Sequence, residues 1–577
     1  MFKNQPKGLF VLALANTGER FGYYTMIAIL LLFLQAKFAL PTATAGVIYS
    51  TFLALVYFMP MIGGIIADKW NFNKTVTLGI VIMFVGYLVM ALPTSMPDGS
   101  AFSSTAFYIM LLALLLISCG TGLFKGNLQV MVGDLYNDPR YSHKRDVAFS
   151  LFYMAINIGA MFAPSATEGL CQLALSAQDL VYDPAVPGLC NKFIAGDALA
   201  PEKLEFLKSF AHNPADLLVW CKTYIATIST GYSWAFAVAC GSMVVSFLIY
   251  KLGYKTYAHI TGSKAAGKAA SDSKAVPELT KEQTKSRIVA LLLVFFVVIF
   301  FWMAFHQNGL TLTKFAEVFT VASTTSWTRI GFNVWALAVI AVVVYAAFSL
   351  FQSKTTRSRI ISAVILVAGV VGIGCFYCFG PTDVSGLQPQ IYQQFNPFYV
   401  VALTPFSVAL FGWLAKRKKE PSAPRKIGYG MLVAAIGFGV MALASIGLGM
   451  APAEGQGSTL VSTNWLMGTY LVLTFAELLL SPMGISFVSK VAPPKYKGAM
   501  MGCWFGATAI GNLLTAIPAL LWNEVDVVWV WVILIALCLL SALFIFAMMR
   551  KLEAATSDQP AAPVADELET VESDAIG

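Results

Sequence analysis

The sequence predicts an all-α polytopic membrane protein, and three observations carry that expectation. Of 577 residues, 58% are hydrophobic and only 12% are charged, a balance that no soluble core of this size explains. The mean hydropathy is +0.72. Apolar runs of about 20 residues, each about 30 Å long as a helix and so able to cross a bilayer, recur along the whole chain.

Fourteen such runs can be read, in two sets separated by a polar stretch. The first six cover 9–36, 44–67, 74–92, 106–131, 147–166 and 232–252. The first of these reads as a retained helix, because it is long, carries Glu19 and Arg20 and has no small-residue cleavage site after it. A long loop, 167–231, follows the fifth run and holds Cys171, Cys190 and Cys221. One disulfide is expected there on the oxidising side of the membrane, with the pairing left open among the three thiols. The stretch 254–286 is rich in Lys, Ala and Ser, has no apolar run and reads as a linker.

The other eight runs cover 287–306, 329–350, 359–379, 391–415, 427–450, 465–489, 499–521 and 528–549. The organisation expected is therefore an N-terminal six-helix bundle over 1–253, a linker over 254–286 and a C-terminal bundle over 287–550 that includes an extra pair at 329–380. The tail, 551–577, is rich in Asp, Glu, Ala and Pro and reads as disordered.

Positive charge sets the expected orientation. Lys and Arg gather in KTYAHITGSKAAGKAASDSK (255–274), QSKTTRSR (352–359), KRKKEPSAPRK (416–426) and PPKYK (493–497), which alternate with loops poorer in both. Both termini are then cytoplasmic. These loops explain the net charge of +8, so a nucleic-acid partner is not expected. An enzyme is not expected either: the chain has no HExxH zinc pair and no GxSxG elbow, and its few membrane carboxylates stand singly. No metal and no cofactor is implied.

Apart from basic residues at the outer ends of the runs, the charged residues and histidines inside them are few: Glu19 and Arg20 in the first, Lys125 in the fourth, His306 at the end of the seventh and Glu477 in the twelfth. Charges at membrane depth are costly and persist where they face a partner, a polar cavity or a ligand; the alternative here is a buried structural ion pair. Their signs are segregated. Cations outnumber the carboxylate in the first bundle, and the second contributes Glu477, so a cavity between the halves would have one positive and one negative wall. A zwitterion with an ammonium at one end and a carboxylate at the other fits such walls, and at roughly 3.3–3.6 Å per extended residue only short peptides would reach both. Tyr23, Tyr24, Tyr57, Asn157, Asn396 beside Pro397, and Trp504 could line the cavity. Each also has a plain role open to it, in interfacial anchoring, packing or interhelical hydrogen bonding, and Lys125 could instead snorkel to an interface. Two bundles joined by a linker suit a transporter whose halves rock about a midplane site.

Several ordered strings carry a family resemblance. NTGERFGYY (16–24) resembles the E-x-x-E-R-F-x-Y-Y motif of the proton-dependent oligopeptide transporters, a branch of the major facilitator superfamily. GGIIADK (63–69) is similar to the superfamily's loop after helix two, GTGLFKGN (120–127) to the family's helix-four signature and RDVAFSLFYMAINIG (145–159) to its helix-five signature. QQFNPFYV (393–400) resembles its Asn-Pro helix, and YLVLTFAELLLSPMGISFVSKVAPPKYKGAMMGCW (470–504) its Glu and Ser-Pro helix with the helix that follows.

The resemblance implies a major facilitator fold of twelve core helices, here with two more between the seventh helix and the Asn-Pro helix, whereas relatives with an extra pair usually carry it between the bundles. It implies import of di- and tripeptides by alternating access, with the proton as coupling ion, in the inner membrane; the oligomeric state stays open, with a monomer in the bilayer expected. Carried over residue by residue, it gives Arg20 and Lys125 the peptide carboxylate. Glu477 with Asn157 and Asn396 would take the amino end, Tyr23, Tyr24, Tyr57 and Trp504 would line the side-chain pockets, and Ser481 completes the substrate-binding set. Coupling and gating would fall to Glu19, Arg20, Lys125, His306 and Glu477. Two positions depart from the family pattern: Asn16 stands where the motif begins with Glu, and His306 stands where a carboxylate usually precedes Gln307. His titrates near 6.5 when free, so His306 either replaces that carboxylate or only hydrogen-bonds Gln307. The readings that follow are a proton-coupled importer with altered pH dependence, an uncoupled peptide facilitator, and a relative that moves another small anion or metabolite.

Overall fold

The computed structural model of the chain describes residues 5–92, 104–136, 138, 140–141, 145–211, 216–260, 280–353, 355–453, 455–493 and 496–557. Its first half contains α1 (Lys7–Phe38), α2 (Thr42–Lys69), α3 (Phe72–Ala91), α4 (Thr105–Asp134) and α5 (Arg145–Ser176), then two short helices, α6 (Val186–Ala195) and α7 (Pro201–Phe210), and finally α8 (Leu217–Leu252). The second half contains α9 (Lys281–Phe305), α10 (Thr311–Phe319), α11 (Val334–Gln352), α12 (Thr356–Phe379), α13 (Phe395–Lys416), α14 (Ala423–Ala444), α15 (Thr463–Val491) and α16 (Lys497–Leu514), followed by α17 (Ala516–Leu520), α18 (Val527–Ala547) and α19 (Met549–Ser557). Among the described residues, 13 segments are long and apolar enough to cross a membrane, and α5 is the one long helix outside that set. The protein is a helical integral membrane protein.

Two separate apolar cores hold the halves together. One is built mainly from α1 to α8, and the other from α9, α10 and α13 to α19. At the centre of the first lies α1, which packs along α5 and α8 and is 83% buried over its most apolar stretch. Backbones approach closely where α2 meets α4: a Cβ added to Gly63 would lie 2.2 Å from the Gly122 carbonyl oxygen. Only glycine fits such a contact, and packing of this kind holds membrane helices together where no hydrophobic driving force remains. The hairpin α11–α12 is peripheral. Its α12 is only 6% buried over its apolar stretch, and α11 rests on α13 and on Met161 of α5 through a small satellite core.

Several boundaries differ from the sequence expectation for physical reasons. The loop expected at 167–231 is largely helical, because α5 continues to Ser176, α8 begins at Leu217 and α6 and α7 fill the space between. The linker expected to run to 286 yields to α9 at Lys281, where Thr280 and Gln283 form a reciprocal capping box. The tail expected to begin at 551 is helical to Ser557, since Leu552 is buried and Glu553 meets Ser422 and Arg425 on α14 and its cap. Residues 558–577 lie outside the described residues. The tenth run, read from 391, opens with a 3₁₀ segment, Pro389–Gln394, before α13. The extra pair sits at 334–352 and 356–379, as α11 and α12.

Candidate functional site

On α1, Glu19 and Arg20 face the interior rather than the bilayer. A Cβ at Gly159 of α5 would come within 2.6 Å of the Thr17 carbonyl oxygen, and the Thr17 hydroxyl donates to the Ala155 carbonyl at 3.1 Å. On the other side the Ser246 hydroxyl of α8 donates to the Ala15 carbonyl at 2.6 Å. Between these two neighbours Glu19 is wholly buried and the Arg20 guanidinium grips it with two bonds of 2.5 Å. The fork-to-carboxylate geometry is the strong form of an ion pair. The guanidinium also lies 4.8 Å from the centre of the Tyr23 ring. One turn earlier, Asn16 is buried and its side-chain NH2 has no hydrogen-bond partner among the described residues.

Lys125 is placed by the close α2–α4 contact at Gly63 and Gly122. Its ammonium sits 3.7 Å from the centre of the Tyr57 ring, a cation–π contact, and no carboxylate forms a salt bridge with it among the described residues. The first bundle therefore offers one internally neutral pair and one cation that rests on a ring and has no salt bridge among the described residues.

The second wall is built on α13 and α15. Glu477 is 7% exposed. Its carboxylate accepts from the Asn396 amide at 2.9 Å and, across the bundle interface, from the Tyr153 hydroxyl of α5 at 3.1 Å. The Asn396 amide is shared with the Thr474 hydroxyl oxygen at 3.0 Å. Each of these donors is uncharged. His306 follows α9 in a 3₁₀ turn, stacks on Trp302 at 5.1 Å and lies 6.0 Å from the Tyr57 ring that carries Lys125. Its Nδ1 and the Trp302 indole nitrogen are buried without hydrogen-bond partners among the described residues.

Three sequence expectations change. Asn157 donates to the Tyr153 carbonyl within its own helix at 3.0 Å and not to Glu477, so it braces the tyrosine that does. Gln307 donates to the Met303 and Thr515 carbonyls and accepts from Thr311; its bonds are spent within the second bundle and none goes to His306. Trp504 is core rather than cavity lining: it packs edge-on against Phe295 at 6.2 Å, and a Cβ at Gly484 would fall 2.0 Å from its ring. Tyr23 is buried against Phe52 and meets Tyr24 edge-on. Ser481 is half-buried one turn after Glu477. The residues missed were Tyr153, Thr474 and Trp302. Each lies three or four positions before a recognised residue, Asn157, Glu477 or His306, and helical spacing puts such neighbours on one face.

A second set of polar contacts joins the bundles farther along α5. The Ser165 hydroxyl donates to Gln394 at 2.6 Å, the Gln394 amide to the Gly331 carbonyl at 3.1 Å, and the Gln393 amide to the Ala28 carbonyl of α1 at 3.2 Å. The Gln388 backbone N–H donates to Glu168 at 3.3 Å. Glu168 is fifteen residues beyond Tyr153, about 22 Å along a helix. The glutamines of the 3₁₀ segment thus latch the halves together at the end of the bundles where α6 and α7 lie, well away from Glu477. No sequence motif marked this latch.

A family model described as the POT family matches residues 73–276 and 382–561. The uncharacterized transporter YclF of Bacillus subtilis (strain 168) is 27% identical over 551 residues, covering 91% of this chain and 89% of that protein. The dipeptide and tripeptide permease B of Edwardsiella piscicida is 25% identical over 554 residues, covering 89% of this chain and 88% of its own length. Among solved structures, the crystal structure of a peptide transporter POT in complex with sulfate superposes with a TM-score of 0.63 at 21% identity, over 96% of both chains.

Proposed function

The chain belongs to the POT family, and from that premise and the charges on its facing walls we propose that it imports di- and tripeptides across the inner membrane by alternating access. The observation that carries this reading is that Lys125 rests on an aromatic face and makes no salt bridge among the described residues, while the hydrogen-bond donors to Glu477 among them are neutral. Each wall has a charge without a salt bridge among the described residues. A zwitterionic peptide supplies both counter-charges at once, its carboxylate to Lys125 with Arg20 and its ammonium to Glu477 with Asn396. The permease of Edwardsiella piscicida, by its name, handles the same substrate class.

The cross-bundle bond from Tyr153 to Glu477 gives binding a mechanical consequence. An ammonium that occupies the carboxylate competes with the tyrosine hydroxyl, and a charge-assisted bond is roughly twice as strong as a neutral one. Substrate thereby loosens a link between the halves at mid-depth while the glutamine latch holds the far end. Tyr23, Tyr24, Tyr57 and Ser481 shape the space between. The Lys- and Arg-rich ends face the cytoplasm together with both termini, and one chain is the working unit, because it supplies both walls. The proton is the coupling ion, with Glu19, Arg20, Lys125, His306 and Glu477 as the coupling and gating set, although Asn16 and His306 remove two carboxylates from it.

Uptake of a labelled dipeptide into proteoliposomes, with and without an inward proton gradient, tests the reading. Accumulation above equilibrium only with the gradient, abolished by excess unlabelled tripeptide, is the expected result. Gradient-independent equilibration would make the protein a facilitator, and the absence of competable uptake would remove peptides as its substrate.

A further inference from the structure

We propose that Cys190 and Cys221 form a disulfide that ties α6 to α8 at the latched end of the first bundle. Nine cysteines occur in the chain, and of the three between the fifth and sixth apolar runs only these two are brought side to side. Both are wholly buried. Each thiol is free in this structure and lies within interaction range of the other, with α6 packed along α8.

Cys171 is set apart. It lies on α5 against Gly231, where an added Cβ would be 3.3 Å from its sulfur. Gly231 is ten residues along α8 from Cys221, about 15 Å at the helical rise, far more than the 4.4–6.8 Å between Cα atoms that a disulfide needs. The three-way choice left open by the sequence therefore narrows to one pair.

The bond would also hold something in place. Next to Cys190, the Asn191 amide donates to the Gln35 and Ala36 carbonyls at 3.0 and 2.9 Å, carbonyls of the last turn of α1 that have no partner further along the helix. The short α6 thus caps the end of α1, the helix that carries Glu19 and Arg20, and a bond from Cys190 to Cys221 anchors that cap to the start of α8. The chain between the two sulfurs is about 30 residues, long enough for the cross-link to restrict the unfolded state appreciably.

Formation breaks two S–H bonds and makes one S–S bond; two electrons and two protons pass to an oxidant of the thiol–disulfide oxidoreductase class, before the sulfurs are buried. Such oxidants act on the outer side of a bacterial inner membrane. The inference therefore rests on the orientation given above, with the end that carries α6 and α7 facing out.

The test uses the full chain, denatured in N-ethylmaleimide straight from membranes, digested without reductant and read by mass spectrometry, alongside a C-terminal reporter that is active only in the cytoplasm. The expected result is a reporter in the cytoplasm, a Cys190–Cys221 linked peptide that disappears on reduction, and an alkylated Cys171. Cys190→Ser and Cys221→Ser should each lower the Tm by on the order of 5 °C, the double variant no further, and Cys171→Ser should leave the linked peptide intact. With the reporter in the cytoplasm, alkylation of both Cys190 and Cys221, or a linked peptide that includes Cys171, overturns the disulfide itself. A reporter outside overturns it through the orientation on which it rests.

Discussion

The two walls of the site carry their charges in different ways. The first bundle joins opposite charges on adjacent residues of a single helix, so Glu19 and Arg20 satisfy each other whatever the second bundle does. The second wall carries Glu477, and one of the two hydrogen bonds to its carboxylate comes from Tyr153 on the other side. The first wall is therefore a finished electrostatic unit with Lys125 added to it, whereas the second depends on its neighbour. A site that must change hands between two states needs this asymmetry: the self-sufficient pair is scaffold, and the dependent charge is where substrate and conformation meet.

The most severe way to break the comparison is to unpair the scaffold. Arg20→Ala leaves the Glu19 carboxylate buried without a counter-charge, a loss of about 3–5 kcal/mol, and should show as a collapse of folded protein in detergent by size-exclusion profile. Removing both charges, Glu19→Gln with Arg20→Gln, should recover much of the abundance but not the uptake. If Arg20→Ala folds as well as the parent, the pair is not the structural unit described here.

Next in size is Glu477→Gln. It keeps the shape and the Asn396 contact but removes the charge, and dipeptide uptake should fall about 10- to 100-fold, the loss of one charge-assisted hydrogen bond, while the melting temperature barely moves. A change of stability without a change of uptake would reverse the roles of the two walls. Tyr153→Phe is milder. Losing one neutral bond of about 1 kcal/mol should alter transport several-fold and affect turnover more than KM, because the bond links the halves rather than the substrate. The smallest effect is expected from Asn16→Glu, which places a second carboxylate one turn from Glu19. It should move the pH profile of uptake with little change in the maximal rate, and an unchanged profile would show that position 16 does not set coupling.

The sequence was most informative where the physics is severe. A charge at membrane depth is rare enough to name itself: Glu19, Arg20 and Glu477 are buried, Glu477 accepts a bond from the first bundle, and Lys125 rests on the Tyr57 ring. Residues with a cheap alternative role could not be sorted this way. Trp504 belongs to the core because Gly484 leaves room for its ring, and that proximity is a property of two packed helices. Tyr153 went unread although it sits one turn from Asn157, since a tyrosine in a membrane helix has many uses. The glutamine latch was invisible for a different reason: several of its partners are backbone groups, as with Gln393 and the Ala28 carbonyl, and a backbone group leaves no mark in a sequence. Within 167–231, α6 and α7 were hidden because they are too short to show the apolar runs on which the other spans were recognised.

The most direct test is whether Glu477 reads the amino end of the peptide. Inhibition of labelled dipeptide uptake would be measured with dialanine, N-acetyl-dialanine and dialanine amide, against the parent and against Glu477→Gln. In the parent both capped compounds should inhibit at least tenfold less well than dialanine. In Glu477→Gln the amide should still be penalised, while dialanine and its N-acetyl form become equivalent, because the group that senses the ammonium is gone. If the variant continues to prefer the free amino end by the parent's margin, Glu477 is not its partner and the opposed-wall account of substrate selection fails.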